Sequence, residues 1–258
     1  MAVLAFVGRA IGGDRVGIIA GVVAAIYPNL FAYDGMLLSE TIAILATALV
    51  LLAWYRAPRN PWWGVALLGA LCGVAALTRA ELILLAPLLI LPRYLGDGAR
   101  PWRERLSLVA VGAVATVAVI TPWVVYNTAR FGQLVTLSNG LDVTLAQANC
   151  DPVYFGDQIG FYRVQCAIDA AAAAGATTDD QLELGRIYRQ AAIDYVEDHA
   201  GRAPLVVLAR LGRVTGTFRP LQQIDLDVFP EGRDRWVATS GLVGWWLLAG
   251  FGIAGAGG

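Results

Sequence analysis

Residues Thr121–Cys166, TPWVVYNTARFGQLVTLSNGLDVTLAQANCDPVYFGDQIGFYRVQC, mark the point where this chain changes character. Upstream, the sequence is almost continuous apolar helix interrupted by short arginine-bearing joints. Downstream lies a polar segment that continues to residue 235, followed by one more apolar run. The chain leaves a membrane here, and it carries two cysteines sixteen residues apart, Cys150 and Cys166, as it does so.

Composition agrees with that reading. Of 258 residues, 57% are hydrophobic and 15% charged, where a soluble domain carries about 25% charged residues. The net charge of −1 gives no basis for nucleic-acid binding. All 19 basic residues are arginine, which excludes lysine Schiff-base chemistry and a phosphate-loop lysine. No GxxxxGK[ST] or GxGxxG pattern occurs. One histidine and three scattered cysteines make no Cys/His zinc site, and no HExxH is present. No cofactor is expected, although a divalent metal is not readable from sequence. Met1 opens inside an apolar run without a signal-peptide n-region or cleavage site, and Gly258 closes a helix in mid-span. The sequence therefore reads as an internal piece of a larger multi-pass protein.

Working back from Thr121, apolar runs fall at 2–8, 16–33, 36–55, 62–78, 82–95 and 106–126, with a further run at 237–255. A spanning helix needs about 20 residues, within a range near 17–25; the run 82–95 is short and holds Pro87 and Pro92. The fold class expected is an all-α multi-pass membrane bundle (1–126), a small mixed extracytoplasmic domain (127–235) and the start of a further span (236–258). Arginine bias sets the orientation. Arg9, Arg15, Arg56, Arg59, Arg93, Arg100, Arg103 and Arg105 occupy one set of joints, and Arg79 alone the other. The first set is cytoplasmic, so 127–235 is expected on the extracytoplasmic face of a plasma membrane. On an oxidising face Cys150 and Cys166 are expected to pair, whereas Cys72 is a small core residue.

Within the outer segment, alternation over 131–148 with a turn at Ser138-Asn139-Gly140 suggests short strands or irregular loop. Thr178–Gln181 reads as a capping box for a helix with Leu184, Tyr188, Ala191, Tyr195 and His199 on one face. His199 there reads as packing or local hydrogen bonding. A helix over 204–214 has an apolar face with Arg210 and Arg213 on the other side, and such a helix could lie in the membrane interface. RPLQQIDLDVFPEGRDRW reads as polar and turn-rich.

Chemistry is expected where ionisable residues meet one membrane surface. Asp34 and Glu40 border the first outer joint, in YDGMLLSE, and Arg79 and Glu81 the second, in TRAE; Trp123, Tyr126 and Asn127 lie at the exit of the next helix. An arginine fork suits phosphate oxygens, and a carboxylate can take a proton from a hydroxyl, a pairing that fits a lipid-linked phosphate. Blander readings stand beside it. Glu40 could simply favour a helix N-terminus, Arg79 and Glu81 could be an interfacial ion pair, and Asp34 an ordinary loop residue.

Three stretches in this order, GGDRVGIIAGVVAAIYPNLFAYDGMLLSE, LTRAELILLAPLLIL and ITPWVVYNTARFGQLVTLSNG, resemble the polyprenyl-phosphate-sugar-dependent membrane glycosyltransferases. That group has the GT-C fold and includes glycosyltransferase family 39, with its protein-mannosyltransferase and aminoarabinose-transferase relatives. Ala148–Cys166, ANCDPVYFGDQIGFYRVQC, also resembles the outer domain of bacterial members. The resemblance implies transfer of a sugar from a polyprenyl-phosphate donor to a glycan or protein acceptor on the outer face. It places Glu40 at the donor site and Arg79 near lipid phosphate. It also implies a catalytic Asp in an outer loop that lies upstream of Met1, so that the piece alone would be inactive. Two other classes stay open: a transporter or flippase of a lipid-linked substrate, and a non-catalytic membrane scaffold.

Overall fold

The computed structural model describes residues 1–31, 39–56, 58, 60–132, 134–138, 140–178 and 180–256. Among them every regular element is helical. The chain forms two compact units, Met1–Leu137 together with Val243–Gly258, and Ser138–Leu242.

The first unit is a bundle whose contacts are set by small residues. α1 (Ala2–Ile26) is two limbs folded on each other at Gly12 and Gly13, the latter at φ 80. The limbs meet through Gly8, Gly17 and Gly21, where an added Cβ would collide with Ala20, with the Ala5 carbonyl and with the Ala5 side chain respectively. The expected run 16–33 stops at Ile26, because Pro28 cannot continue the helix; a single turn, α2 (Pro28–Phe31), follows. α3 (Glu40–Tyr55) and α4 (Pro61–Thr78) form an antiparallel pair. Asn60 caps α4 by accepting the Trp62 N–H at 2.9 Å.

A 3-10 turn (Ala80–Leu84) then leads into α5 (Leu85–Leu95), which is only 11 residues long and contains Pro92. α6 (Trp102–Phe131) runs for 30 residues through Pro122 and ends on Gly132 in the left-handed conformation. α4 packs closest on α6. Gly69 and Gly73 of α4 face Gly112 and Thr116 of α6, and Thr116 Oγ1 lies 2.9 Å from the carbonyls of both Gly69 and Gly112. Small residues four apart on each helix allow this backbone approach. Cys72 is buried in the same core with Val65, Leu68 and Ile90, as expected.

Among the described residues three helices are long and apolar enough to cross a membrane: Pro61–Thr78, Trp102–Phe131, and Arg235–Gly255 of α13 (Arg235–Ala256). The apolar runs 16–33, 36–55 and 82–95 are expected as further spans, and the last of them is only the 11-residue α5. Two of these, 16–33 and 36–55, shrink because Pro28 ends one helix and the other begins at Glu40. Residues 36–38 of the second run lie outside the described residues.

The second unit corrects the expected mixed domain, since its described residues form helices only. The alternating stretch becomes α7 (Gly140–Ala148), whose first N–H donates to Ser138 Oγ at 3.0 Å. α8 (Asp151–Tyr154) and α9 (Val164–Ala173) follow, tied by the Cys150–Cys166 disulfide that the oxidising-face argument expected. α10 (Gln181–Asp198) is capped by Asp180, which accepts the Leu182 N–H at 2.9 Å; Thr178 Oγ1 accepts the Asp180 N–H at 3.1 Å. Its N-cap is thus two residues later than the capping-box reading placed it. α11 (Ala203–Val214) carries Pro204 in its first turn. The stretch read as turn-rich is largely α12 (Pro220–Glu231), opened by Arg219 at φ 47 and Pro220 and buttressed by a Gln223–Asp227 bond one turn apart.

From the end of α7 to residue 161 the chain is irregular apart from the single turn of α8, so backbone oxygens here need partners from elsewhere. Four arginines supply them. Arg210 bonds the Ala148 carbonyl, Arg202 that of Tyr154 at 2.8 Å, Arg219 that of Asp157, and Arg213 that of Ile159 at 2.7 Å. Gly160, at φ 76, lets the loop press against the backbone of Ala209 in α11. Val153, Tyr154 and Val206 form the buried centre.

Candidate functional site

Glu40 is the first residue of α3 and Arg79 the last before the chain turns out of α4. Because α3 and α4 are antiparallel, residues 39 positions apart meet at one end of the bundle. Arg79 has an extended backbone (φ −147, ψ 122) and serves both as the C-cap of α4 and as the start of the 3-10 turn. This geometry sends its guanidinium back across the mouth of the helix pair. Arg79 Nη1 donates to Glu40 Oε1 at 3.2 Å, and Arg79 Nε to Glu81 Oε1 at 2.9 Å. The two carboxylates differ in surroundings: the Glu40 side chain is 22% exposed and that of Glu81 63%. Glu40 Oε2 is buried and accepts no hydrogen bond from a described residue. A buried carboxylate oxygen without a donor is costly, so this atom is a ready acceptor for a hydroxyl.

Below the charged trio runs a cleft of about 520 Å³. One wall is a single stripe of α3: Ala43, Ile44, Thr47, Ala48 and Leu51 descend from Glu40 at offsets of 3, 4, 7, 8 and 11 residues. That is one face of a helix, about 16 Å long at 1.5 Å per residue. Leu4, Leu30 and Leu82 close the other sides. The cleft is therefore charged at its mouth and aliphatic along its length. The stripe was legible in principle, because ETIAILATALVL carries small or hydroxyl residues along that face. In an all-apolar helix, however, nothing in the sequence distinguishes a groove wall from a packed interface.

The charged mouth and the arginine-rich joints occupy opposite ends of the bundle. At the far end Arg93 donates to the Trp54 carbonyl at 2.6 Å and stacks on the Trp54 ring, and Arg105 bonds the Leu95 and Arg100 carbonyls.

The other sequence candidates fall elsewhere. Asp34 lies outside the described residues. Trp123 and Tyr126 are about half exposed on α6, and neither is among the residues lining the cleft. Asn127 is buried and donates to the Trp123 carbonyl at 3.0 Å within its own helix. In the second unit His199 stacks on Tyr195 with ring centres 4.2 Å apart, and its Nδ1 lies 2.9 Å from the Tyr195 carbonyl. Among the described residues no group of His, Cys, Asp and Glu side chains could hold a metal ion.

Residues 1–126 match a protein family described as dolichyl-phosphate-mannose-protein mannosyltransferase. Glu40, Arg79, Glu81 and the whole α3 stripe fall inside the matched stretch. No curated protein and no solved structure matches the chain. The first half of the chain is thus similar to membrane glycosyltransferases that draw sugar from a lipid-phosphate donor.

Proposed function

We propose that this chain belongs to an integral-membrane glycosyltransferase that moves a sugar from a polyprenyl-phosphate-linked donor to an extracytoplasmic glycan or protein acceptor. The observation that carries the reading is the polarity of the cleft, with an arginine between two carboxylates at the mouth and, beneath it, a stripe that is aliphatic except for Thr47. A polyprenyl phosphate has the same division, a charged head on an apolar chain. Family similarity over residues 1–126 supports the same substrate class.

In this reading Arg79 takes the donor phosphate as a permanently charged fork. Its contact with Glu81 is exposed, and exposed pairs contribute at most about 1 kcal/mol, so a phosphate can displace Glu81. Glu40 stays, holding the guanidinium through Oε1 and offering Oε2 to a sugar hydroxyl. The α3 stripe takes the first isoprene units. Arginine bias supports a cleft mouth on the extracytoplasmic face.

The test uses the full-length protein in vesicles, comparing binding of polyprenyl phosphate with that of the uncharged polyprenol, and following sugar transfer. A charge-assisted bond to phosphate is worth about 1.5–3 kcal/mol. Arg79→Ala should therefore weaken polyprenyl-phosphate binding by about ten- to a hundredfold while leaving polyprenol binding unchanged. Glu40→Gln should lower kcat/KM for transfer. Unchanged kcat/KM in both variants removes these residues from the mechanism.

A further inference from the structure

α11 is turned inside out relative to a helix on a water-soluble domain. Its buried face is Val206, Ala209 and Arg213. On the opposite side Val207, Leu208, Leu211 and Val214 stand 49%, 65%, 57% and 82% exposed. At 100° per residue these four and Pro204 share one arc that contains no charged side chain. The reason lies in the loop beneath. Arg210 and Arg213 are drawn inward to satisfy the carbonyls of Ala148 and Ile159. Arg213 is further held by Gln222 and Gln223 at 2.8 and 3.2 Å and by the rings of Phe161 and Phe218. The cations that would solubilise the helix are used inside, and the face left outward is aliphatic.

We propose that this outer face of α11 docks on the lipid bilayer, its aliphatic side chains seated at the headgroup–acyl boundary. Two features favour lipid over a protein partner. The first is chain continuity, because α13 contains a stretch long and apolar enough to span a membrane and begins inside this same unit at Arg235, with Trp236 62% exposed. The unit that carries α11 is thereby held at a membrane surface. The second is chemistry. The arc presents Pro, Val and Leu only, without the Trp, Tyr or Arg anchors that dominate protein–protein contacts and without a donor to fix an orientation. Such a face suits a fluid apolar phase. The proposal does not depend on the cleft assignment, which concerns the other unit.

A probe experiment on the full chain tests it. Single cysteines replacing Leu211, and Glu183 on α10 as the reference, each carry an environment-sensitive fluorophore. The protein is reconstituted in phosphatidylcholine–phosphatidylglycerol vesicles. Cys72 is buried, and Cys150 and Cys166 are paired, so the introduced thiol takes the label. The Leu211 probe should be quenched by a nitroxide lipid and protected from iodide, and the Glu183 probe should behave the opposite way. Equal iodide access at both positions overturns the proposal. So does protection of the Leu211 probe from both quenchers, which means that protein covers the face, or protection that grows with the protein-to-lipid ratio, which means that a second copy of the chain does. A companion protein carries Leu208→Asp and Leu211→Asp with the probe at Val207→Cys. The substituted side chains project outward, so the unit keeps its disulfide and its thermal transition, yet lipid quenching of the probe should be lost. Retained lipid quenching in that protein also counts against docking.

Discussion

Arg213 is a guanidinium in the interior of the second unit whose hydrogen bonds go to one carbonyl and two amide oxygens, with no carboxylate among them. Burial pushes its pKa down from the ordinary value, and the neighbouring Arg219 charge adds to that effect. What holds it is geometry, since a planar fork reaches Ile159 and both glutamines at once. Arg213→Lys keeps the charge and loses the fork. Leaving two acceptors unsatisfied should cost about 1–3 kcal/mol, read as a lowered thermal midpoint of the second unit. Asp227 shows the opposite sign of strain. Burial raises its carboxyl pKa above the ordinary carboxylate value, and the Gln223 bond only partly offsets this. A raised folded pKa means that Asp227 contributes its stability below the unfolded value, near pH 3.9, and that this contribution is lost as pH rises through the folded value. Asp227→Asn should therefore flatten the fall in midpoint above about pH 4 and leave the unit more stable at neutral pH. At the cleft, Glu40, Arg79 and Glu81 were legible because they flank predicted joints, where few charges interrupt the apolar runs. Asn127 was misleading for a physical reason: a polar residue at a helix exit can bond back to its own helix, as this one does to Trp123, and sequence does not reveal that.

Among the helices, the α4–α6 contact is the one that least tolerates change. A Cβ on Gly69 would collide with the Gly112 carbonyl oxygen, and one on Gly73 would lie 2.8 Å from the Thr116 carbonyl oxygen. Gly69→Val must separate the two helices and break the Thr116–Gly69 bond. Overpacking of this kind costs about 1–3 kcal/mol, measurable as an earlier loss of helical signal on heating in detergent, whereas Gly98→Val, in open space, should leave that curve where it is. In the second unit the disulfide closes a 16-residue separation, worth about 3 kcal/mol in the chain-entropy model. Cys150→Ser with Cys166→Ser should accordingly lower the midpoint of that unit and hasten its proteolysis. The apolar runs 62–78 and 106–126 locate α4 and α6, whose limits Asn60-Pro61 and Gly132 set. Those decided by tertiary partners were not. α7 reads as alternating and α12 as turn-rich, but the first packs on α9 and α10, and the second buries Ile224 and supplies the glutamines that hold Arg213. In neither case does local propensity name the partner.

For the whole molecule the open quantity is orientation, and the two ends of the bundle make it testable. One end is fixed by arginines bonded into the backbone, Arg93 to Trp54 and Arg105 to Leu95 and Arg100, with Arg100 paired to both Asp97 and Glu104. These cations are part of the fold at that end, so the bias that the positive-inside rule reads is built into the bundle rather than spread over loose joints. From that end α6 runs 30 residues, about 45 Å at 1.5 Å per residue, enough to traverse the hydrocarbon core and both headgroup layers. Residue 98 and the segment after Gly132 must then face opposite aqueous compartments. A membrane-impermeant maleimide added to intact cells expressing the full-length protein should label a cysteine at Glu183 and leave one at Gly98 unlabelled until the membrane is opened. Gly98 suits the purpose because a side chain there meets nothing within 4 Å. The Cys150–Cys166 bond gives an independent check on the same orientation, because it persists on an oxidising face and is reduced in the cytosol. Labelling of Gly98→Cys in intact cells, together with free thiols at 150 and 166 in freshly quenched cells, would invert the topology and move the charged cleft mouth to the cytoplasmic side. A donor presented on the outer leaflet could not then reach Arg79.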